Sequence, residues 1–244
     1  MSTIFPPSID DCFRKGAERF GSCLKALNWP NGGKAAPPNE ANILLHLGFY
    51  LGQMEPSFDL YAEGSVNENC RVDMIGLSKG GDTAIAIEAK GFGDINGRSL
   101  AVLKDLDRLQ KFRPSLSDLR DKVTPQAWWD HATYRWGIIV IASFQGVEVE
   151  QAWMAEDEAV SIKCMSTFRP SKRAVDQDGN AQGFLTLLRR VRHEHRRSAF
   201  IADGTQWEAT SDGWLLWAAF PLDRSTSATE QIPPPVAAKQ PDTR

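Results

Sequence analysis

Apolar residues recur every three or four positions through residues 8–27, SIDDCFRKGAERFGSCLKAL, where Ile9, Cys12, Phe13, Ala17, Phe20, Cys23, Leu24 and Leu27 repeat. That spacing predicts a helix capped by Ser8. Residues 28–38, NWPNGGKAAPP, read as a loop. Asn39 is then an N-cap for a second helix over residues 40–52, with Ile43, Leu44, Leu47 and Tyr50 or Leu51 on its apolar side. The period then changes. Residues 58–66 and 71–77 alternate loosely and predict strands. Lys79-Gly80-Gly81-Asp82 signals a turn, and residues 83–89, TAIAIEA, supply the other arm of a hairpin.

Ser99 is placed to cap a third helix running to Phe112, with Leu100, Leu103, Leu106 and Leu109 on one face or its edge. Thr124-Pro125 opens a short aromatic helix through Trp128 and Trp129. Residues 138–142, IIVIA, are the nearly unbroken apolar run of a central strand covered on both faces. Residues 148–159 predict a further helix, 162–168 and 198–202 predict strands, 183–195 fits either, and 214–221 is apolar enough for the core. No internal repeat interrupts the order. The expected fold is α/β, a central mixed sheet flanked by helices, in one domain over residues 1–222. Residues 223–244 lack aromatics and carry a triple proline, so a disordered tail is expected there.

Composition narrows the class. With 42% hydrophobic and 24% charged residues the 244-residue chain has the make-up of a globular protein. Its longest apolar runs fall well short of the roughly 20 residues of a membrane span. The first residues show no basic start followed by an apolar core, so a cytoplasmic location is expected. Cys12, Cys23, Cys70 and Cys164 contain no C-x-x-C pair and favour reduced, mostly buried thiols over a zinc or iron–sulfur site. The 28 Lys and Arg against 31 Asp and Glu, a net charge of −3, argue against a basic coat protein for nucleic acid. They leave room for an enzyme with a small basic groove, or for one brought to its substrate by a protein partner.

Candidate chemistry gathers between Arg71 and Lys90. Side chains alternate along a strand, so Glu88 and Lys90 share a face that Ala89 does not. If Asp73 in the opposite arm faces the same way, two carboxylates and an ammonium converge among apolar neighbours. A charge so placed needs a partner, and a hard divalent cation with oxygen ligands is one.

Asp73, fourteen intervening residues and Glu88-x-Lys90 at a strand end resemble the active-site signature of the PD-(D/E)XK nuclease superfamily. Glu40, at the start of a helix, resembles the helix-borne acid that many members add. The order of elements over residues 39–145 is similar as well: helix with acid, strand, strand with Asp, strand with Glu-x-Lys, amphipathic helix, strand. Val72 stands where the literal motif has proline. The cysteines of the iron–sulfur branches are absent, and Gln110 has no tyrosine four residues on, so the RecB-like branch is not indicated. The resemblance implies a restriction-endonuclease-like core and metal-dependent hydrolysis of phosphodiesters, with DNA the first expected substrate. It implies Mg2+, or Mn2+ in its place, held by Asp73, Glu88 and the Ala89 carbonyl. Lys90 would orient the attacking water or neutralise charge on the phosphoryl oxygens, and Glu40 would bind a second metal or a metal-bound water, with Glu63 a second candidate for that outer role. A homodimer is compatible, since many nucleases of this fold cut duplexes as dimers.

Two readings of other classes stay open on the residues: a non-catalytic nucleic-acid-binding or protein-interaction module on the same fold, and an α/β enzyme in which the string is accidental. Arg189, Arg190 and Arg192, with Arg196 and Arg197 beyond, form the densest basic run and are candidates for nucleic-acid contact, as is Arg98 near the motif. Lys104, Arg108 and Lys111 are interleaved with Asp105 and Asp107, which favours a solvated helix face. His193-Glu194-His195 lacks the spacing of a zinc helix and reads as solvated. Trp128-Trp129 could form a platform for a base, while Trp136 and Trp217 look like core.

Overall fold

The unbroken apolar runs become the middle of one sheet. The computed structural model describes residues 4–26, 40–65, 71–91, 95–112, 129, 131–144, 146–167, 182–202 and 212–222. Two helices come first, α1 (Pro7–Ala26) and α2 (Glu40–Leu51). The strands β1 (Phe58–Ser65), β2 (Arg71–Ser78) and β3 (Thr83–Lys90) follow as an antiparallel meander. Helix α3 (Ile95–Gln110) crosses to β4 (Tyr134–Ser143), which lies parallel to β3. Helices α4 (Val147–Met154), α5 (Glu158–Thr167) and α6 (Gln182–Val191) lead to β5 (His195–Ala202) and β6 (Gly213–Pro221). The six strands stand in the order β1-β2-β3-β4-β6-β5, so β2, β3, β4 and β6 are covered on both edges.

Alternation along the central strands divides the core into two layers. Ile85, Ile87, Ala89, Ile138 and Val140 face α1 and α2 and meet Phe13, Phe20, Ile43 and Leu47. Ala84, Ala86, Ile139 and Ile141 face the other way, against Leu106 and Leu109 of α3, Trp153 of α4 and Phe184 and Leu187 of α6. Trp136 and Trp217 are core residues, as their sequence context predicts. The hairpin forms through the expected turn: Gly81 takes φ +71°, open to glycine at no steric cost, and its N–H donates to the Ser78 carbonyl at 2.8 Å. The Ser78 hydroxyl donates to Asp82 at 2.8 Å and accepts the Thr83 N–H at 3.1 Å.

Several expectations are corrected. Ser99 does not cap α3, which begins four residues earlier; it is buried in the second turn. Among the described side chains of α3 the buried positions are Ser99, Val102, Asp105, Leu106 and Leu109, which leaves Leu100 on the far side of the helix and 66% exposed. Residues 148–159 are not one helix. Ala155 turns to extended backbone, and Asp157 starts α5 by accepting the Ala159 N–H at 2.7 Å. Residues 162–167 are therefore helix and not strand: Ser161 lies buried against the Ala152 carbonyl and Cys164, three residues on, is half-buried, while Val160, Ile162 and Lys163 point to solvent, the spacing of a helix. Residues 183–195 resolve into α6, a turn and the first residue of β5. The predicted Asn39 cap, the loop over 28–38, the Thr124-Pro125 helix start, Cys70 and the tail lie outside the described residues. Among the described residues no helix is long and apolar enough to cross a membrane.

Candidate active site

The end of the β2–β3 ladder brings Asp73 close to Glu88. The ladder pairs Ile75 with Ala86 and ends at Met74 with Ile87, one residue short of Asp73 and Glu88. Beyond it the main chain changes partner: the Ala89 N–H donates to Asp73 Oδ2 at 2.7 Å, a side-chain acceptor in place of a strand carbonyl. Glu88 is completely buried in β3, on the side that faces α3.

Lys90 lies two residues on, near the same face. Its Nζ is 2.8 Å from Asp105 Oδ2 and 3.9 Å from Glu40 Oε1. Burial pulls the Lys90 pKa down, but Asp105, Glu40 and Asp73 outweigh it and hold the group above the ordinary lysine value. Glu40, in the first turn of α2, accepts the Gly91 N–H at 3.4 Å. Arg108 of α3 donates through Nε at 3.0 Å and Nη2 at 2.6 Å to Glu88 Oε1, and through Nη2 at 2.7 Å to Asp105 Oδ1. The groups form a chain, Glu40, Lys90, Asp105, Arg108 and Glu88, and Asp73 joins it through the Ala89 N–H. Four carboxyl groups meet two cations, a formal excess of two negative charges if all are ionised. Desolvation, then the charges of Asp73 and Asp105, push the Glu88 carboxyl up to about 8 against the opposing pull of Arg108.

The donor chemistry here suits a hard divalent cation. Every acidic group is a carboxylate, the charge excess is two, and Glu88 Oε2 is buried with no hydrogen-bond partner. Asp73 and Glu88 would be the residues to hold such an ion, with the Ala89 carbonyl next to Glu88 in sequence. Glu40 is not drawn to that pair, because Gly91 and Lys90 hold it. Among the described residues no group of three His, Cys, Asp or Glu side chains is arranged to hold a metal. The structure provides a carboxylate pair, not a triad.

The remaining candidates divide. The side chains of Glu63 and Arg98 lie outside the described residues. Arg189 and Arg192 both bind Glu158, at 2.6 and 3.0 Å, and Arg190 reaches Asp107 at 3.1 Å and Gln110 at 2.7 Å. The three thus tie α6 to α5 and α3. Arg196 is buried and donates to the carbonyls of Trp153 and Ala155, closing the end of α4. His195 is not solvated: Asp10 holds it at 2.6 Å and the Phe5 ring packs on it at 4.8 Å. Trp129 is fully buried against Phe112 and cannot serve as a platform for a base.

Sequence reasoning missed Asp105 and Arg108 by reading them as part of a solvated face. The available signal was Asp105 itself, a charge falling in the stripe of Val102, Leu106 and Leu109. No family model, no curated protein and no solved structure matches this chain.

Proposed function

We propose that the protein is a metal-dependent phosphodiesterase of the PD-(D/E)XK type, acting on nucleic acid with DNA as its first substrate. The observation that carries the reading is Asp73, bound by the Ala89 N–H at 2.7 Å, beside a fully buried Glu88, with Lys90 two residues beyond. A buried carboxyl next to a second carboxylate costs stability, and a cation bound by both would offset that cost. The order α2-β1-β2-β3-α3-β4, with β3 and β4 parallel, supports the same reading, because it is the order that the resemblance implies.

In this reading Asp73 and Glu88 hold Mg2+ or Mn2+, with the Ala89 carbonyl as a further oxygen ligand. A bound divalent cation supplies Lewis acidity toward a phosphoryl oxygen and lowers the pKa of a coordinated water. Lys90 neutralises charge on the phosphoryl oxygens and orients the nucleophile. Asp105 and Glu40 keep Lys90 charged and fixed, so its ammonium does not have to be ordered at the moment of reaction.

The test is cleavage of linear and circular DNA and of RNA in Mg2+, Mn2+ and EDTA, with Lys90→Ala beside the wild type. Metal-dependent cleavage that falls at least about a hundredfold in Lys90→Ala is the expected result, the scale of removing one stabilising donor from a developing charge. Binding without cleavage in both proteins favours a non-catalytic module instead. Neither binding nor cleavage of any polymer defeats both.

A further inference from the structure

Arg108 is the one cation in contact with Glu88 among the described residues, and its position makes it a competitor for whatever else binds that carboxylate. Both donated bonds fall on Oε1, and Oε2 is left bare. A buried carboxyl with no hydrogen-bond donor on either oxygen is unfavourable, so the metal-free protein needs Arg108 where it is. The arrangement is lopsided in one respect. Glu88 has no exposed side-chain surface, whereas Arg108 is 33% exposed on a long stem. The guanidinium can therefore leave toward water, while Glu88 cannot. Lys90 is not free to take its place, being held by Asp105 and Glu40. Asp105 gives Arg108 a second anchor on its own helix, three residues away, that does not depend on Glu88.

From this we propose that Arg108 is a positioning residue: it holds Glu88 in the metal-free protein and yields that carboxylate to an incoming divalent cation by swinging toward solvent around its Asp105 anchor. Metal loading and release of Arg108 are then one event. The proposal rests on the reading of Asp73 and Glu88 as a metal site. Its consequence is an exchange cost built into cation binding, which lowers affinity in the wild type and keeps the site intact without metal.

The experiment is calorimetric titration of the full chain with Mn2+, comparing wild type, Arg108→Gln, Arg108→Lys and Asp73→Asn. Arg108→Gln should bind Mn2+ about tenfold more tightly than wild type, the reverse of the roughly tenfold or greater loss that follows removal of a group supporting a metal ligand. It should also melt at lower temperature in EDTA and recover when Mn2+ is added. Arg108→Lys, which keeps the charge, should stay near wild type, and Asp73→Asn should bind poorly. Arg108→Gln binding no tighter than wild type, while wild type binds, overturns the role of Arg108 and leaves the metal site standing. No Mn2+ binding by either protein overturns the metal-site reading itself. A second measurement needs no variant. In wild-type protein the Arg108 Nε–H resonance should be protected from exchange in EDTA and lose that protection on adding Mg2+. Protection unchanged at Mg2+ saturation sinks the release step, even if simple removal of positive charge had tightened Mn2+ binding.

Discussion

At the scale of single residues, Glu88 is the most deeply buried charged side chain among the described residues. Its pKa of about 8 in the fold stands above the ordinary value of 4.5. The folded state therefore keeps a proton that the unfolded chain releases, and stability must fall as pH rises across the interval from about 4.5 to 8. Below that interval both states are protonated, and above it both are ionised, so the change is confined to it. The expected loss in EDTA is on the order of a few kcal/mol, read by thermal melting from pH 5 to pH 9. Glu88→Gln keeps the shape and removes the titration, so its melting temperature should be flatter over the same range. Equal pH profiles for the two proteins would show that Glu88 is ionised throughout and that Arg108 fully offsets its burial.

At the scale of elements, the close seat of α1 on β5 decides a prediction whose sign helix propensity gets wrong. Replacing glycine by alanine inside a helix ordinarily stabilises by roughly 0.5–1 kcal/mol. At Gly21, however, a Cβ would lie 1.8 Å from the Ile201 carbonyl oxygen, a main-chain atom with little room to move. Gly21→Ala should therefore lower stability by about 1–3 kcal/mol, the usual cost of overpacking, and the melting temperature reports it. The same seat is bonded by Asp10, which accepts the Trp217 indole N–H at 2.8 Å and binds His195. Asp10→Ala leaves that buried N–H unpaired and should cost about 1–3 kcal/mol; an unchanged denaturation midpoint would count against this joint. Little of this joint was legible in the sequence, because Asp10, Gly21, His195 and Trp217 meet only after the sheet has formed. The strands β2, β3 and β4 were legible because a buried strand needs apolar residues at every step. The helix α5 was not, since among its described side chains the inward face shows Ser161 and a half-buried Cys164, too few apolar positions to betray the period. The candidate site follows the same division. Asp73, Glu88 and Lys90 could be read from alternation and spacing within one hairpin, whereas Asp105 and Arg108 reach it only through the seating of α3 on the sheet.

At the scale of the whole molecule, charge constrains how the proposed enzyme meets its substrate. The chain carries 28 basic and 31 acidic residues, and its described cations are largely spent within the fold. Arg14 and Lys15 pair with acids of their own helix, Arg189, Arg190 and Arg192 with α5 and α3, and Arg108 with Glu88 and Asp105. Each nucleic-acid phosphate neutralised by a protein cation releases counterions, so the salt dependence of binding counts such contacts. With one to three phosphate contacts, the slope of log K against log salt for duplex DNA should lie between about −0.9 and −2.7. Fluorescence anisotropy of a labelled duplex in EDTA, from 50 to 300 mM NaCl, measures it without cleavage. A slope near −5 or steeper would mean that a broad basic surface forms outside the paired residues described here, and that substrate capture does not depend on the acidic site. A shallow slope, with affinity that rises when Ca2+ is added to offset Asp73 and Glu88, would instead place recognition at the carboxylate pair, where phosphate and protein share a cation.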